Sequence, residues 1–302
     1  MNTPDFVHEA LVYRDEAGFL DGTVEYLREG VRAGESVFAI LRPESIELVR
    51  AELGADAEAV QYFDMTDVGR NPARIIPLLR GLAAAGPARG VGEPVFAERS
   101  AAANAEAQLH EALINVAFDG TALRLRCPID AGLPGAAIEA SAAAHPLVVA
   151  DGAGGPSAAF DPKSAEVDFG GALPAPDAVS DVAHFCLDDL PELRDLVSVR
   201  AGGFGLSRAK ALDLTLATNE IVTNSICHGG ERGTLRVWDE PDTVVCEVSD
   251  SGHIADPLVG RTVPVPSVPG GRGVWLANQL CDLVQIRSSV TGTVVRLHMN
   301  LS

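Results

Sequence analysis

The amino-acid sequence predicts an α/β protein built from two domains. Its length of 302 residues is enough for two domains of ordinary size. The N-terminal half alternates apolar strands with helices, a pattern typical of an open, mainly parallel sheet flanked by helices. The C-terminal third has another order, in which two helices, a hairpin and a glycine-fronted helix precede two closing strands.

The N-terminal elements follow from hydrophobic spacing and from glycine and proline positions. Leu20, Val24 and Leu27 recur at helical spacing, and the apolar run 37–41 is typical of a strand covered on both faces. The other expected elements are helices at 43–53, from 72 to near 86 and at 101–118, and strands at 60–63 and at 121–127, the last ending at Pro128.

The C-terminal elements are predicted in the same way. The main helix begins after Ser207 as its N-cap, and we expect Leu212, Leu216, Ile221 and Val222 to face the core. The other expected elements are a strand at 181–187, a helix at 191–201, a hairpin of strands 235–238 and 243–248, a helix at 271–281 and two strands that meet at 291–292. Residues 165–169 are interpreted as a short strand of either domain.

Composition and charge exclude several classes of protein. The formal net charge of -19 argues against direct nucleic-acid binding, which depends on clustered Lys and Arg. No apolar run approaches membrane-spanning length, and residues 1–5 show no basic leader. We therefore expect a cytoplasmic protein without a membrane partner.

The cysteine pattern predicts reduced thiols. The chain has five cysteines and none of them stands in a CxxC pair. Such a dispersed, odd set favours small buried or free thiols over a disulfide framework or a zinc site. Cys127 in particular is interpreted as a buried strand-end residue, because no base adjoins it in sequence.

The N-terminal half is not expected to hydrolyse a nucleotide. The chain has two lysines, Lys163 and Lys210, and neither of them stands in the GxxxxGK[ST] frame of a phosphate-binding loop. The predicted carboxyl ends of its strands carry Arg42 and the segments 64–67 and 127–130, where such sheets bind ligands.

Two other N-terminal residues have competing interpretations. His8 is either a hydrogen-bonded residue of an edge strand or a ligand sensor, and the first is favoured. Glu93, between Gly92 and Pro94, is either a turn acid that caps a neighbour or an acid in a pocket.

The C-terminal third carries residues with nucleotide chemistry. Glu220 and Asn224 stand four positions apart, so a carboxylate and a carboxamide share one helix face, where they could hold a hydrated divalent cation. The strand 243–248 runs into Asp250-Ser251-Gly252, and the turn 270–273 opens a helix, which is an anion site. Together they indicate a nucleotide site with Mg²⁺.

At these residues the sequence resembles the GHKL ATP-binding fold and its anti-sigma-factor serine kinase branch. NExxxNSxxHG at 219–229 is similar to the N box, DSG at 250–252 to the G1 box, GGRGVWL at 270–276 to the G2 box and GTVVRL at 292–297 to the last strand. The resemblance covers about the C-terminal third and implies a two-layer α/β sandwich with a mixed sheet, which binds ATP and Mg²⁺.

The resemblance also implies roles for the matching residues. Glu220 would orient the attacking group or act as general base, Asn224 would hold Mg²⁺ and Asp250 would accept a hydrogen bond from the adenine amine. Gly252 would let the base approach, and Thr293 would help to close the adenine pocket. The backbone N–H groups of Gly271 and Gly273 would bind phosphates, and Arg261 and Arg272 are further candidate phosphate contacts. His228 stands at the family's HG position and is interpreted as a capping or packing residue. The chain departs from the family at Ile254, where a second G1 glycine is usual, and in the short proline-rich segment that follows.

The N-terminal half resembles the MEDS sensory domain. The matching segments are HEALVY at 8–13, GESV at 34–37, VGEPVF at 91–96 and CPID at 127–130. The resemblance implies a degenerate relative of RecA-type ATPases that senses a small molecule. The expected organisation is a sensory domain at 5–146, a Gly/Pro/Ala-rich linker at 147–178 and an ATP-binding domain at 179–302.

Two functions remain open from the sequence. One is a kinase that phosphorylates an anti-anti-sigma (STAS-type) partner on Ser or Thr and otherwise sequesters a sigma factor. The other is a regulator that binds nucleotide and protein without phosphoryl transfer. A histidine kinase is disfavoured, because no helical hairpin with an acceptor histidine is evident. The oligomeric state is open, with a homodimer among the alternatives.

Overall fold

The computed structural model describes residues 6–150, 152–264 and 271–301. The chain divides into two compact units, Met1–Ala165 and Glu166–Ser302. Each unit has its own β-sheet.

The first unit alternates strands and helices almost throughout. Its elements are β1 (Val7–Tyr13), α1 (Glu16–Ala33), β2 (Ser36–Leu41), α2 (Pro43–Leu53), β3 (Val60–Asp64), α3 (Met65–Val68), α4 (Ile75–Leu82), β4 (Ala88–Gly92), α5 (Ala101–Ala117), β5 (Leu123–Asp130), α6 (Gly135–Ala144), β6 (Leu147–Ala150) and β7 (Ala153–Pro156). Short 3-10 turns at 54–59 and 72–74 precede β3 and α4.

In the described part of this unit the strands form one sheet in the order β3-β2-β4-β5-β1-β6-β7. Neighbouring strands are parallel except for the antiparallel pair β6–β7 at one edge. The predicted open, mainly parallel sheet with flanking helices is confirmed. β6 and β7 fall within the range 147–178 interpreted as linker, so its first ten positions contain sheet.

The sheet is covered on both faces, as the apolar run in β2 predicts. Val37, Ala39 and Leu41 pack in one core cluster with residues of α1 and α2. Phe38 and Ile40 alternate with them, so they point to the opposite face, and both are also buried.

Two N-terminal expectations are wrong in detail. β5 continues through Pro128 to Asp130, and Pro128 pairs with Leu11 of β1. Pairing with β4 has already ended at Arg126, so the proline breaks no hydrogen bond to β4. His8 does not lie on an edge strand, because β1 is flanked by β5 and β6.

The second unit contains an antiparallel sheet with helices packed on it. Its elements are α8 (Leu190–Gly203), α9 (Arg208–His228), α10 (Arg272–Leu280) and the strands β8 (Asp181–Phe185), β9 (Gly233–Glu240), β10 (Thr243–Asp250), β11 (Leu283–Ser289) and β12 (Gly292–Asn300). The strand order is β11-β12-β10-β9-β8. The predicted two-layer α/β arrangement is confirmed, but every strand pair in the described part of this sheet is antiparallel, so the expectation of a mixed sheet is wrong.

The long helix α9 presents its buried face to this sheet. Ser207 caps its N-terminus as predicted, with the hydroxyl oxygen accepting from the Lys210 N–H. Ile221 and Val222 are buried, but Leu212 and Leu216 are 56% and 44% exposed. The expectation that they face the core is wrong. They lie on the helix face formed by residues 212, 216, 220 and 224, which is next to the face that packs against the sheet.

Two further observations complete the fold. Residues 165–169, interpreted as a strand, lie in the helix α7 (Ser164–Gly170), which crosses the boundary between the units. Within the described residues, every helix is too short or too polar to cross a membrane.

A buried histidine predicts how the stability of the second unit depends on pH. His298 of β12 faces Gln285, and burial, with Arg296 nearby, lowers the pKa of its imidazole from 6.5 to about 4. The unfolded chain therefore binds this proton more tightly than the folded one. The contribution of His298 to stability is fully present above about pH 6.5 and is lost as the pH falls towards 4.

As the pH falls from about 7.5 to about 5, we expect His298 to lower the free energy of unfolding of the second unit by about 2 kcal/mol. Urea unfolding followed by tryptophan fluorescence measures this unit selectively, because both tryptophans, Trp238 and Trp275, lie in it. The His298→Asn variant should have a flatter pH dependence over this range, and equal pH dependence of the two proteins would contradict the assignment.

Candidate functional site

The predicted N-box and G1-box residues meet where α9 ends. The last turn of α9 lies against the end of β10, and Asp250 at that end pairs with Thr293 of β12. This junction brings together residues that are far apart in sequence, and Asp250 is at its centre.

The carboxylate of Asp250 is held by two donors. The Ser225 hydroxyl donates to Oδ2 at 2.5 Å, and the Gly252 backbone N–H donates to Oδ1 at 2.7 Å. A carboxylate has about four lone-pair positions, so each oxygen keeps capacity for another donor. The carboxylate is half-buried and fixed in direction, which suits it to accept a hydrogen bond from an amine.

Two glycines allow the end of α9 and the DSG turn to approach each other closely. A Cβ at Gly229 would lie 2.3 Å from Cγ of Asp250, and a Cβ at Gly252 would lie 2.7 Å from Cα of Gly229. Since real Cβ contacts are never so short, neither position accepts a side chain without movement of the backbone or of Asp250. Gly252 is therefore required by packing against the end of α9. This requirement is separate from the close approach of a base, which the family resemblance implies for the same residue.

A chain of hydroxyl groups connects the DSG turn to the last two strands. The Thr293 hydroxyl donates to the Gly252 carbonyl at 2.9 Å and lies 2.8 Å from the Ser288 hydroxyl. The Ile254 backbone N–H donates to that same Ser288 oxygen at 2.8 Å. Thr293 thus contributes by fixing the turn that carries Asp250 and Gly252.

The start of α10 lies against the predicted acid–amide face of α9. A Cβ at Gly273 would be 3.0 Å from Oε2 of Glu220 and 3.1 Å from Nδ2 of Asn224. Gly271 caps the helix with φ of 73°, a left-handed conformation that favours glycine, and Arg272 is exposed in its first turn. A helix N-terminus, a carboxylate and a carboxamide are therefore adjacent, as the motif spacing predicted.

Other predicted residues are placed less favourably or fall outside the described chain. Arg261 is only 5% exposed, and His228 is an exposed residue at the last position of α9. Gly270, Pro266 and Pro269, part of the glycine turn and of the proline-rich segment, lie outside the described residues.

Sequence reasoning missed three contributors to this site. Ser225, Gly229 and Ser288 hold or face the Asp250 turn, although no role was predicted for them. Ser225 and Gly229 stand inside the NExxxNSxxHG segment, so their spacing was a usable signal. Ser288 had none, because its partner Ile254 is 34 positions away.

Of the carboxyl-end residues predicted in the first unit, Arg42 forms an ion pair with the buried acid Glu93. Arg42 donates to the 2%-exposed Glu93 at 3.0 Å, and the Ser45 hydroxyl donates to Glu93 at 3.2 Å. Burial, with Glu93 and Asp130 nearby, raises the pKa of Tyr13. Glu93 is thus a buried, paired acid at the carboxyl ends of β2 and β4, and Asp64 caps α3 through the Thr66 N–H.

Comparisons with known families agree with both motif sets. The family model of MEDS, described as the MEthanogen/methylotroph, DcmR Sensory domain, matches residues 7–146. The model of the Histidine kinase-like ATPase domain matches residues 186–299. The chain therefore has a MEDS domain followed by a histidine kinase-like ATPase domain of the GHKL type.

One matching solved structure is the crystal structure of the RsbU and RsbW domains of Rv1364c from Mycobacterium tuberculosis. The identity is 18% with a TM-score of 0.30, and the match covers 40% of this chain and 33% of that one. This chain thus spans about a third of the length of that structure. No curated protein matches the chain.

The contact between the two glycines predicts a stability effect. In Gly252→Ala the new Cβ would meet backbone atoms of Gly229 and His228, which cannot rotate away, so the second unit should lose about 1–3 kcal/mol. Gly202→Ala is the matched control, because its Cβ points into open space on a helix and should be neutral or slightly stabilising.

Urea unfolding monitored by the two tryptophans distinguishes these variants. If Gly252→Ala unfolds at the same urea concentration as the unmodified protein, the DSG turn does not lie against the end of α9.

Proposed function

We propose that the C-terminal domain binds ATP with Mg²⁺ and that the protein is a cytoplasmic anti-sigma-type regulator. In this proposal it phosphorylates an anti-anti-sigma (STAS-type) partner on Ser or Thr and sequesters a sigma factor when that partner is not engaged. The observation that carries the proposal is the fixed, half-buried Asp250 carboxylate, held by Ser225 and Gly252 beside a glycine-lined approach.

The base-binding role rests on hydrogen-bond complementarity. The two carboxylate oxygens are oriented by one hydroxyl and one N–H, and their remaining lone pairs match the exocyclic amine of adenine. A base with a carbonyl group at that position would place its carbonyl oxygen, an acceptor, against the carboxylate oxygens of Asp250, which are also acceptors. Asp250 would therefore select adenine over guanine.

Phosphate and metal binding rest on the contact between α9 and α10. The N-terminal turn of α10 offers backbone N–H groups and the positive end of the helix dipole, and the absence of a Cβ at Gly273 lets Glu220 and Asn224 lie close to that turn. Asn224 lies beside the same turn, with its amide nitrogen towards Gly273, and can offer its amide oxygen to Mg²⁺, which usually keeps several of its waters. Arg272, exposed in the first helical turn, adds positive charge.

The proposed catalytic role belongs to Glu220. It lies one helical turn before Asn224 and beside Gly273, so its carboxylate can accept the proton of a partner hydroxyl at the phosphate end of the site. Bound ATP would supply the phosphoryl group, and the protein's part is to position the acceptor and balance charge.

The remaining parts of the proposal concern regulation. The MEDS domain would bind a small-molecule signal and bias the activity of the ATPase domain. The domain boundaries proposed are 5–146 and 179–302, with 147–178 between them. The resemblance of the N box to the anti-sigma kinases supports the choice of partners.

A nucleotide-dependent regulator without phosphoryl transfer is the second candidate. The supporting observation is that the two residues after Gly252 are held by hydrogen bonds to the end of β11. His253 lies 3.2 Å from the Ser289 carbonyl, and Ile254, which replaces the second G1 glycine, donates to Ser288. A segment held in this way beside the proposed nucleotide site moves less readily. This favours nucleotide binding over the loop movements that accompany a catalytic cycle.

Calorimetric titration with ATP and ADP, with and without Mg²⁺, tests the site. We expect binding by the unmodified protein and a loss of at least about 10-fold in affinity in Asp250→Ala, since a hydrogen bond to a charged group contributes about 1.5–3 kcal/mol. Asp195→Ala, at an exposed position on α8, is the control and should bind normally. Equal binding by Asp250→Ala and the control would refute the base-binding assignment.

Phosphoryl transfer separates the two candidate functions. Radiolabelled ATP is incubated with the protein and STAS-type proteins, and phosphate on a partner Ser or Thr is measured. We expect Glu220→Ala to reduce the transfer rate by about 100-fold or more, because a general base contributes about 10²–10⁴-fold, while ATP affinity stays similar. Partner binding with no transfer by the unmodified protein would support the second candidate.

A further inference from the structure

Four metal-ligand side chains meet inside the first unit, and none of them belongs to the unit that carries the proposed nucleotide site. They come from four separate parts of the chain: His8 of β1, Glu111 of α5, Cys127 of β5 and His145 just after α6. None is more than 1% exposed, and one ligand atom from each lies within 4.8 Å of all the others. The cluster is therefore enclosed and built entirely from side chains that bind metals.

Glu111 is the centre of the cluster. Its Oε2 lies 2.8 Å from Nε2 of His145 and 3.6 Å from Nε2 of His8. Nε2 of His8 also lies 3.5 Å from Sγ of Cys127. Both imidazoles thus present the same ring nitrogen to one carboxylate oxygen, and the sulfur faces one of them.

The outer nitrogen of His145 determines its tautomer. Nδ1 lies 2.6 Å from the Ser141 carbonyl oxygen, which can only accept, so Nδ1 carries a proton. In the neutral imidazole, Nε2 is then a bare lone pair aimed into the cluster. This is the usual way in which a metal-ligating histidine is oriented.

His8 is oriented in the same way. The Asn115 amide nitrogen donates to the Ala144 carbonyl at 2.7 Å, which places the amide oxygen towards His8. That oxygen accepts from Nδ1 of His8 at 3.0 Å. Nε2 of His8 is therefore also a lone pair in the neutral ring.

The centre of the cluster has more acceptors than protons. The Cys127 thiol can give one proton to His8, but neither oxygen of Glu111 nor Nε2 of His145 has a hydrogen-bond partner among the described residues. Because the described contacts place the imidazole proton of His145 on Nδ1, the 2.8 Å approach of its neutral Nε2 to Glu111 sets one acceptor against another. A buried carboxylate in this state is costly unless a cation compensates it.

We propose that these four side chains bind a divalent transition-metal ion of the zinc type. Two imidazoles, a thiolate and a carboxylate form a donor set that zinc prefers, and four protein ligands make a closed structural site. A tetrahedral ion with bonds of about 2.0–2.3 Å needs ligands about 3.3–3.7 Å apart. The 3.5 Å and 3.6 Å separations already fit, and the His145–Glu111 pair must open by roughly half an ångström.

The charge balance supports the same occupant. A thiolate and a carboxylate bring two negative charges into a fully buried place, and a divalent cation neutralises them without protons. The ion would join β1, α5, β5 and the end of α6, and so stabilise the first unit as a whole. This site is independent of the proposed ATP site, because all four ligands belong to the first unit.

The experiment measures metal in the full-length protein. After growth with Zn²⁺ and gel filtration, elemental mass spectrometry should find about one zinc ion per chain. Replacement by Co²⁺ should give the visible bands of a tetrahedral ion and a thiolate charge-transfer band. Chelation should lower the unfolding temperature, and Zn²⁺ should restore it.

Two serine variants test which cysteine is the ligand. Cys127→Ser should lose the charge-transfer band and weaken zinc binding by more than the about 10–100-fold typical of a lost outer-shell partner. Cys246→Ser is the matched control, because Cys246 is equally buried but lies in the other unit, and it should keep both metal and spectrum.

The unmodified protein alone can overturn the proposal, whether or not the variants fold. If it contains no metal as purified and binds neither Zn²⁺ nor Co²⁺ after chelation and dialysis, the cluster is not a metal site. A charge-transfer band that survives in Cys127→Ser, or disappears in Cys246→Ser, also contradicts the assignment.

Discussion

The hydrogen bond from Ser225 to Asp250 is the interaction on which the arrangement of the candidate site depends. It joins the last turn of α9 to the end of β10 at 2.5 Å, and it can form only because Gly229 and Gly252 leave no Cβ between these segments. Helix, strand and DSG turn are thereby fixed relative to one another. The orientation of the carboxylate follows from packing, so the site is preorganised before any ligand arrives.

The sequence predicted most of the fold because local signals and burial agree. The apolar run in β2, the Pro43 start of α2 and the Ser207 cap of α9 all lie where the structure places them. The spacing of Glu220 and Asn224 likewise predicted a shared helix face, and both side chains lie near the position that a Cβ of Gly273 would occupy. Patterns that operate within one element survive folding well.

Features that depend on long-range pairing could not be predicted from the sequence. Hydrophobic spacing alone did not show that Leu212 and Leu216 fall one row away from the sheet, nor that the C-terminal strands pair only in antiparallel fashion in the described residues. The four-residue cluster around Glu111 was missed for the same reason, since its members are 16 or more positions apart and follow no ligand spacing. Parallel β-sheets create such clusters by bringing distant strands together.

The short antiparallel strand β7 has a consequence for aggregation. Without it, the apolar strand β6 would end the parallel sheet with a row of unpaired backbone groups, which is a template for another chain. β7 covers that row with Ala153-Gly154-Gly155-Pro156, a segment that is itself a poor template because glycine weakens strands and proline lacks an N–H. The glycine- and proline-rich composition of this stretch thus protects the sheet edge from adding further strands.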